Sequence, residues 1–120
     1  MLDPADVTAE GVNPLCGDEC RVTFNLRDGR MTEIRVDPKG CAISRASASM
    51  MTEAVAGKAL CDVRRSVEIF KQMLLGPGTA ADLPEDMEDV EALEGVKVLP
   101  ARIKCALLAW DTLLEGMKGR

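Results

Sequence analysis

The first third of the chain alternates apolar and polar residues as half-buried β-strands do. Residues 21–26 and 31–36 both show this alternation, and the Asp-Gly pair between them, Asp28 and Gly29, is a strong hairpin signal. Residues 7–12 form a further short extended segment. We therefore predict a small antiparallel sheet of about three strands, broken by the turn-forming residues 37–40.

After Cys41 the apolar residues recur every three or four positions, which is typical of α-helices. The spacing predicts helices from Cys41 to Gly57, over residues 60–75, and from Pro100 onwards. The predicted buried stripes are Ile43, Ala46, Met50 and Ala54; then Leu60, Val63, Val67, Phe70 and Leu74; and finally Ile103, Ala106, Leu107, Trp110, Leu113 and Leu114. Strands followed by helices indicate an α+β domain whose helices pack on one face of the sheet.

At 120 residues the chain has room for one domain, which we expect to span residues 1–120. Residues 79–98 form an acidic insert, in which we predict one short helix around residues 85–93. From Asp82 to Glu94 there are seven acidic residues and no basic one. The rest of the chain contains 15 basic and 13 acidic residues. We interpret the acidic segment as solvated surface, with a docking role as the weaker interpretation.

The formal charge of −5 argues against nucleic acid as a partner. No apolar run is long enough to span a bilayer, and the N-terminus has neither the basic nor the apolar part of a signal peptide. We therefore expect a cytoplasmic protein with no membrane partner.

Five cysteines and no histidine restrict the chemistry that the chain can perform. In a reducing compartment this many thiols indicate metal binding or thiol chemistry rather than structural disulfides. Any zinc or iron site made by this chain alone must use thiolates and carboxylates. Cys–His nucleophile pairs and Ser–His–Asp triads are excluded within one chain.

Helical geometry separates the cysteines. Cys41 and Cys105 both lie near the start of a predicted helix and off its apolar stripe, where the free N–H groups and the helix dipole favour a thiolate. We rank a ligand or reactive role for both above an inert one. Cys20 and Cys61 we interpret as non-ligand thiols, although Cys16 and Cys20 have a spacing that zinc sites use.

Cys16 lies in a loop bracketed by Pro and Gly, where a side chain can face a partner without disturbing the core. Asp18 follows it with only Gly17 between. Asp18 is either a ligand that shares a metal with Cys16 or a turn residue that bonds its own backbone.

Three segments resemble the motifs of one known family. Residues 13–18, Asn-Pro-Leu-Cys-Gly-Asp, resemble the N-P-x-C-G-D loop of the SufU/IscU iron–sulfur cluster assembly scaffolds, which share a fold with the N-terminal module of NifU. Residues 40–52 resemble the segment G-C-x-I-S-x-A-S-A-S-M-M, and residues 101–110 resemble A-R-I-K-C-A-x-L-A-W. The three motifs stand in the family's order, and the resemblance extends over the chain from about Asp6 to Leu114.

Two features resemble the SufU branch of that family. Lys104 precedes the third motif's cysteine where IscU-type members carry a histidine, and residues 79–98 lengthen the stretch between the second and third motifs. The resemblance also implies an amphipathic helix before the first motif, and we expect that helix to be missing here, since the sequence begins almost at the motif.

The resemblance implies that Cys16, Asp18, Cys41 and Cys105 bind Zn²⁺. It further implies that Cys16 accepts persulfide sulfur from a pyridoxal-phosphate cysteine desulfurase of the SufS type, with Asp18 tuning the site as a weaker oxygen ligand.

Arg102 and Lys104 flank this site in the sequence. They either stabilise the thiolates or contact the partner, or they are ordinary surface charges of the helix.

The expected role is that of a sulfurtransferase-like partner of the desulfurase rather than of a stand-alone enzyme. The sulfur would pass to a downstream Suf scaffold or to apo iron–sulfur proteins. An alternative is a scaffold that assembles and transfers a [2Fe–2S] cluster on the same ligands, since thiolates suit both metals. A third interpretation is a purely structural zinc domain with inert cysteines.

Overall fold

The computed structural model describes residues 5–13, 17–83 and 85–118. Three strands come first: β1 (Val7–Asn13), β2 (Asp18–Arg27) and β3 (Arg30–Lys39). The α-helices are α1 (Ala42–Val55), α2 (Leu60–Leu75) and α3 (Pro100–Met117), and two 3₁₀ segments, Ala80–Asp82 and Glu85–Val98, connect α2 to α3. In the described part of the chain, no helix is both long and apolar enough to cross a membrane.

The strands form one antiparallel sheet in the order β1-β2-β3. Asp28 and Gly29 connect β2 to β3 with φ values of 54° and 75°, the left-handed conformation that a tight hairpin turn requires. Every second residue of β2 from Asp18 to Phe24 is buried under the helices. On the opposite face Arg21 is exposed and pairs with Glu10 at 2.7 Å. The predicted α+β fold, with helices on one face of a three-stranded sheet, is confirmed.

Both ends of the sheet extend further than the sequence predicts. Residues 37–39 continue β3 instead of breaking it, and Pro38 pairs with Cys20. Because β3 is an edge strand, the N–H that Pro38 lacks costs no ladder bond. At the other end, Asp18 is the first residue of β2 and pairs with Asn13, so neither residue lies in the loop expected for residues 13–18.

Helix α3 is the centre of the core, because α1, α2, β1 and β2 all pack against it. The rings of Phe70 and Trp110 stack with their centroids 4.2 Å apart. In α2 the predicted stripe is confirmed, with four of its five members fully buried: Val63, Val67, Phe70 and Leu74.

In α1 the predicted stripe is only partly correct, because Ala54 is buried but the other three predicted residues are not. Ala46 is exposed and Ile43 and Met50 are only half-buried, whereas Ser44, Ser47, Ala48 and Met51 are buried. Two serines occupy the buried face, and the hydroxyl of Ser47 is fully hydrogen-bonded there. A pattern of apolar residues alone could not reveal a face that is built from small polar side chains.

The short helix predicted around residues 85–93 is present as a longer 3₁₀ segment rather than as an α-helix. Residues 85–98 form a 3₁₀ segment, in which Met87, Val90, Leu93 and Val96 are buried. These four residues recur every three positions, which is the period of a 3₁₀ helix. The insert therefore contributes apolar side chains to the core as well as acids to the surface.

The contact between β1 and α3 leaves no room for a side chain at Gly11. A Cβ there would overlap Thr112 Oγ1 and lie 3.4 Å from Thr112 Cβ. The Thr112 hydroxyl is held in place, since it donates to the carbonyl of Leu108 at 2.7 Å. We predict that Gly11→Ala lowers the free energy of unfolding by about 1–3 kcal/mol through overpacking, as measured by urea denaturation.

Gly95→Ala is the matched control, because nothing lies within 4 Å of its added Cβ. It is expected to leave the urea midpoint nearly unchanged, and the double variant Gly11→Ala/Thr112→Ala is expected to recover part of the loss. Equal effects of Gly11→Ala and Gly95→Ala would contradict the steric explanation.

Candidate metal centre

Asp18 brings a buried carboxylate to the end of the sheet where β2 begins. Only 2 % of its surface is exposed. Its Oδ1 accepts the backbone N–H of Cys41 at 2.9 Å, and its Oδ2 lies 3.3 Å from Cys41 Sγ, within reach of the thiol proton. A buried carboxylate is stable only when hydrogen bonds or a cation compensate its charge, and Cys41 supplies two such bonds.

Cys41 is the N-cap of α1, with extended backbone angles of φ −69° and ψ 164°. Its Sγ accepts the backbone N–H of Ser44 at 3.4 Å. This is the type of capping bond that Ser, Thr, Asp and Asn side chains make at helix N-caps. The sulfur therefore lies at the positive end of the α1 dipole, which favours negative charge there. The predicted position of Cys41 at a helix start is confirmed.

Cys105 lies in the second turn of α3 and is 1 % exposed. Its Sγ lies 3.8 Å from the carbonyl oxygen of Ala101. Cys105 lies off the predicted apolar stripe and outside the hydrophobic core cluster, yet it is buried, because α3 is covered on several sides and residues 105–110 are all buried. The thiol is nonetheless not ordinary core, since it faces the two polar ligand candidates from β2 and α1.

Asp18, Cys41 and Cys105 each present a ligand atom to one point. One carboxylate oxygen and the two sulfurs all lie within 4.8 Å of one another. Ligands of a tetrahedral zinc ion lie about 3.8 Å apart, given Zn–S bonds of about 2.3 Å. Small shifts of these side chains thus suffice to hold a metal, and the donor set suits zinc or an iron–sulfur cluster.

Gly40 makes the close approach of Asp18 to Cys41 possible. Its φ of 144° is a conformation that favours glycine, and a Cβ there would overlap the Asp18 carboxylate and lie 3.0 Å from Asp18 Cα. The chain can thus leave β3 and begin α1 directly beside the start of β2. The sequence contained this signal, a glycine before a candidate ligand, but its steric role depends on a strand 22 residues earlier.

Arg102 supplies positive charge to the two thiols, one turn before Cys105. A hydrogen bond to Cys105 and the charges of Cys41 and Cys105 raise the pKa of its guanidinium. The guanidinium is therefore close to both sulfurs. Lys104 is exposed on the same helix and adjoins Cys105 in the sequence.

The other three cysteines have different settings. Cys16, the predicted sulfur acceptor, lies outside the described residues. Cys20 is buried in β2, where burial raises the pKa of its thiol to about 11 and so keeps it protonated at neutral pH. Cys61 is exposed near the start of α2. In the described part of the chain, neither Cys20 nor Cys61 belongs to the three-residue ligand group.

The chain matches the NifU-like N-terminal domain family over residues 1–119. It is 43 % identical over 105 residues to the zinc-dependent sulfurtransferase SufU of Bacillus subtilis, a match that covers 88 % of this chain and 70 % of that protein. It is 39 % identical over 106 residues to the iron–sulfur cluster assembly scaffold protein IscU of Streptococcus pyogenes, covering 88 % of this chain and 65 % of the relative.

The fold is also found among solved structures. The crystal structure of FiSufU from Fervidobacterium islandicum superposes with a TM-score of 0.87 at 30 % identity and covers 98 % of this chain and 84 % of that one. Relatives that carry the SufU name and the IscU name are thus both close, and the chain spans about two thirds of the length of the two curated relatives described above.

Gly40 offers a test of the ligand geometry. We predict that Gly40→Ala displaces the Asp18 carboxylate and weakens Zn²⁺ binding by about tenfold or more, the usual effect of disturbing the support of a metal ligand. Zinc affinity is measured by competition with a chromogenic chelator.

Gly57→Ala is the matched control, because Gly57 also has a positive φ of 79° but an added Cβ would have nothing within 4 Å. It is expected to cost about 1–2 kcal/mol of stability from backbone strain without changing zinc affinity. If both variants bind zinc equally well, Gly40 does not shape the site.

Proposed function

The chain belongs to the NifU-like N-terminal domain family of iron–sulfur cluster assembly proteins, and we propose that it is a zinc-dependent sulfur acceptor of a SufS-type cysteine desulfurase. The observation that carries this proposal is the convergence of Asp18, Cys41 and Cys105, whose ligand atoms lie within 4.8 Å of one another. The similarity to the Bacillus subtilis sulfurtransferase supports the same role.

Cys16 completes the proposed ligand set by covalent proximity. Only Gly17 separates it from Asp18, so the two Cα atoms can be at most about 7.6 Å apart. The described residues on either side of residues 14–16 lie close together. The N–H of Gly17 donates to the carbonyl of Asn13 at 2.9 Å, and Asn13 pairs with Asp18. Three thiolates and one carboxylate then make a four-ligand zinc site without histidine.

One feature supports the zinc-dependent role over the cluster scaffold, although the thiolates suit both metals. The chain has no histidine, and Lys104 stands where IscU-type members carry one. Zinc bound here would hold the sulfurs as thiolates at neutral pH.

The proposed transfer step needs only thiol–disulfide chemistry. The Cys16 thiolate attacks the terminal sulfur of the persulfide on the desulfurase. A new S–S bond forms on Cys16, the S–S bond of the donor breaks, and the donor cysteine leaves as a thiolate. No net oxidation occurs, because the sulfane sulfur moves from one thiolate to another.

Arg102 and Lys104 would assist this exchange. Arg102 lies beside the thiols of Cys41 and Cys105 and adds positive charge next to their sulfurs. Lys104 is exposed one residue before Cys105. We assign both to contacts with the desulfurase or to stabilisation of the anionic sulfur.

We predict that Cys16→Ala abolishes stimulation of the desulfurase, because the acceptor thiol is removed. Sulfide or alanine release from cysteine is measured with and without this protein. Cys61→Ala is the matched control, since it removes an exposed thiol outside the ligand group and is expected to retain full stimulation.

Intact-mass analysis after incubation with desulfurase and cysteine is expected to show one added sulfur on the wild-type chain and none on Cys16→Ala. Full stimulation by Cys16→Ala would overturn the proposal. Stimulation without any persulfide would indicate a structural zinc domain that acts by contact alone.

A scaffold that builds a [2Fe–2S] cluster is the second candidate, supported by the 39 % identity to an IscU scaffold and by the same thiolate group. We predict near-stoichiometric zinc in protein purified without added metal or chelator, falling when Cys41 or Cys105 is changed to Ala. Iron with acid-labile sulfide, or a chromophore that transfers to an apo-ferredoxin after anaerobic reconstitution, would place the scaffold function first.

A further inference from the structure

Ser47 joins the two helices that carry the sulfur ligands. It lies in α1 and is fully buried, with 0 % of its surface exposed. Its hydroxyl donates to the backbone carbonyl of Ala106 in α3 at 2.5 Å. The same oxygen accepts the indole N–H of Trp110, also in α3, at 2.9 Å. One small side chain therefore makes two hydrogen bonds across the α1–α3 contact.

Both ends of this link lie close to the metal centre. Ser47 is six residues after Cys41 along α1, about 9 Å at 1.5 Å per residue. Ala106, which accepts its bond, directly follows Cys105. A change in the Ser47–Ala106 distance is therefore passed to Cys105 through one peptide bond.

The α3 side of the link cannot easily move. Trp110 is 0 % exposed, and its ring stacks on Phe70 of α2 with the centroids 4.2 Å apart. Without Ser47 Oγ, the indole N–H would lose the partner that the structure gives it in a buried place. Such a loss costs more than the bond itself is worth, so the helices would re-pack.

We propose that Ser47 is a positioning residue that fixes the separation of the Cys41 and Cys105 sulfurs by tying α1 to α3. Because packed helices can slide past one another by small amounts, the two hydrogen bonds of Ser47 limit how far the atoms near the ligand ends of α1 and α3 can shift relative to each other. This inference assigns a role to Ser47 that the proposed function does not include. It rests on the proposed function only in taking the two sulfurs to be zinc ligands.

The test compares Ser47→Ala with Ser66→Ala. Ser66 is also a buried serine, 4 % exposed, but it lies in α2, which carries none of the ligand residues. Zinc affinity is measured by chelator competition, and Co²⁺ substitution reports ligand geometry through its visible spectrum. Ser47→Ala is expected to bind zinc up to about tenfold more weakly and to alter the Co²⁺ spectrum; this is the low end of the loss seen when a group bonded directly to a ligand is removed, because Ser47 acts through the residue next to Cys105.

Ser66→Ala is expected to bind zinc as the wild type does, even if its unfolding midpoint falls as far as that of Ser47→Ala. Ser47→Thr keeps the hydroxyl and is expected to restore most of the affinity. Trp110 is the only tryptophan, so its emission verifies that Ser47→Ala has removed the indole bond in a folded protein. Unchanged zinc affinity and Co²⁺ spectrum in that variant would overturn the proposal, as would an equal loss in Ser66→Ala.

A metal-free measurement separates this proposal from the proposed function. In a Cys16→Ser/Cys61→Ser background, diamide oxidises the Cys41 and Cys105 thiols to a disulfide and is itself reduced to the hydrazine. Adding Ser47→Ala is expected to slow formation of this disulfide several-fold, as followed by peptide mass mapping, whereas adding Ser66→Ala is not. If the wild type binds no zinc and stimulates no desulfurase, the proposed function fails. The role of Ser47 is refuted separately, if the Cys41–Cys105 disulfide forms at the same rate with and without Ser47→Ala.

Discussion

The contact between the Asp18 carboxylate and Cys41 holds the sheet and the first helix together at the candidate site. One carboxylate oxygen accepts the N–H that leads into α1, and the other faces the sulfur that caps α1. A charge buried this deeply would be unfavourable alone, so it depends on the backbone N–H and the thiol of Cys41 at the N-terminus of α1. Gly40 follows from this constraint, since any larger residue would separate the two.

The third ligand candidate reaches the site by another route. Cys105 belongs to α3, whose position is set by packing against the sheet, α1 and α2. Ser47 and the stacked pair of Phe70 and Trp110 fix where α3 lies relative to α1. The site therefore depends on two connections of different kinds, a polar one between β2 and α1 and a packed, hydrogen-bonded one between α1 and α3.

The sequence alone could predict the parts of this arrangement that depend on local chemistry. Alternation in residues 21–26 and the turn at Asp28 and Gly29 predict the hairpin, because both signals arise within a few residues. Cys105 shows where such reasoning stops. Its burial depends on how many elements surround α3, and helical spacing within one segment cannot predict that number. The 3₁₀ period of residues 87–96 was readable in the sequence, but a period of three is easily mistaken for a helical one.

The placement of the four proposed ligands suggests a division of roles. Asp18, Cys41 and Cys105 lie on a strand, at a helix cap and within a helix, so packing and hydrogen bonds determine their positions. Cys16 belongs to the short connection between β1 and β2. Zinc sites that perform chemistry generally keep three protein ligands and exchange the fourth position, whereas structural sites hold all four. Under the proposed function, three ligands of this chain would keep the metal while the thiolate of Cys16 is released to accept sulfur.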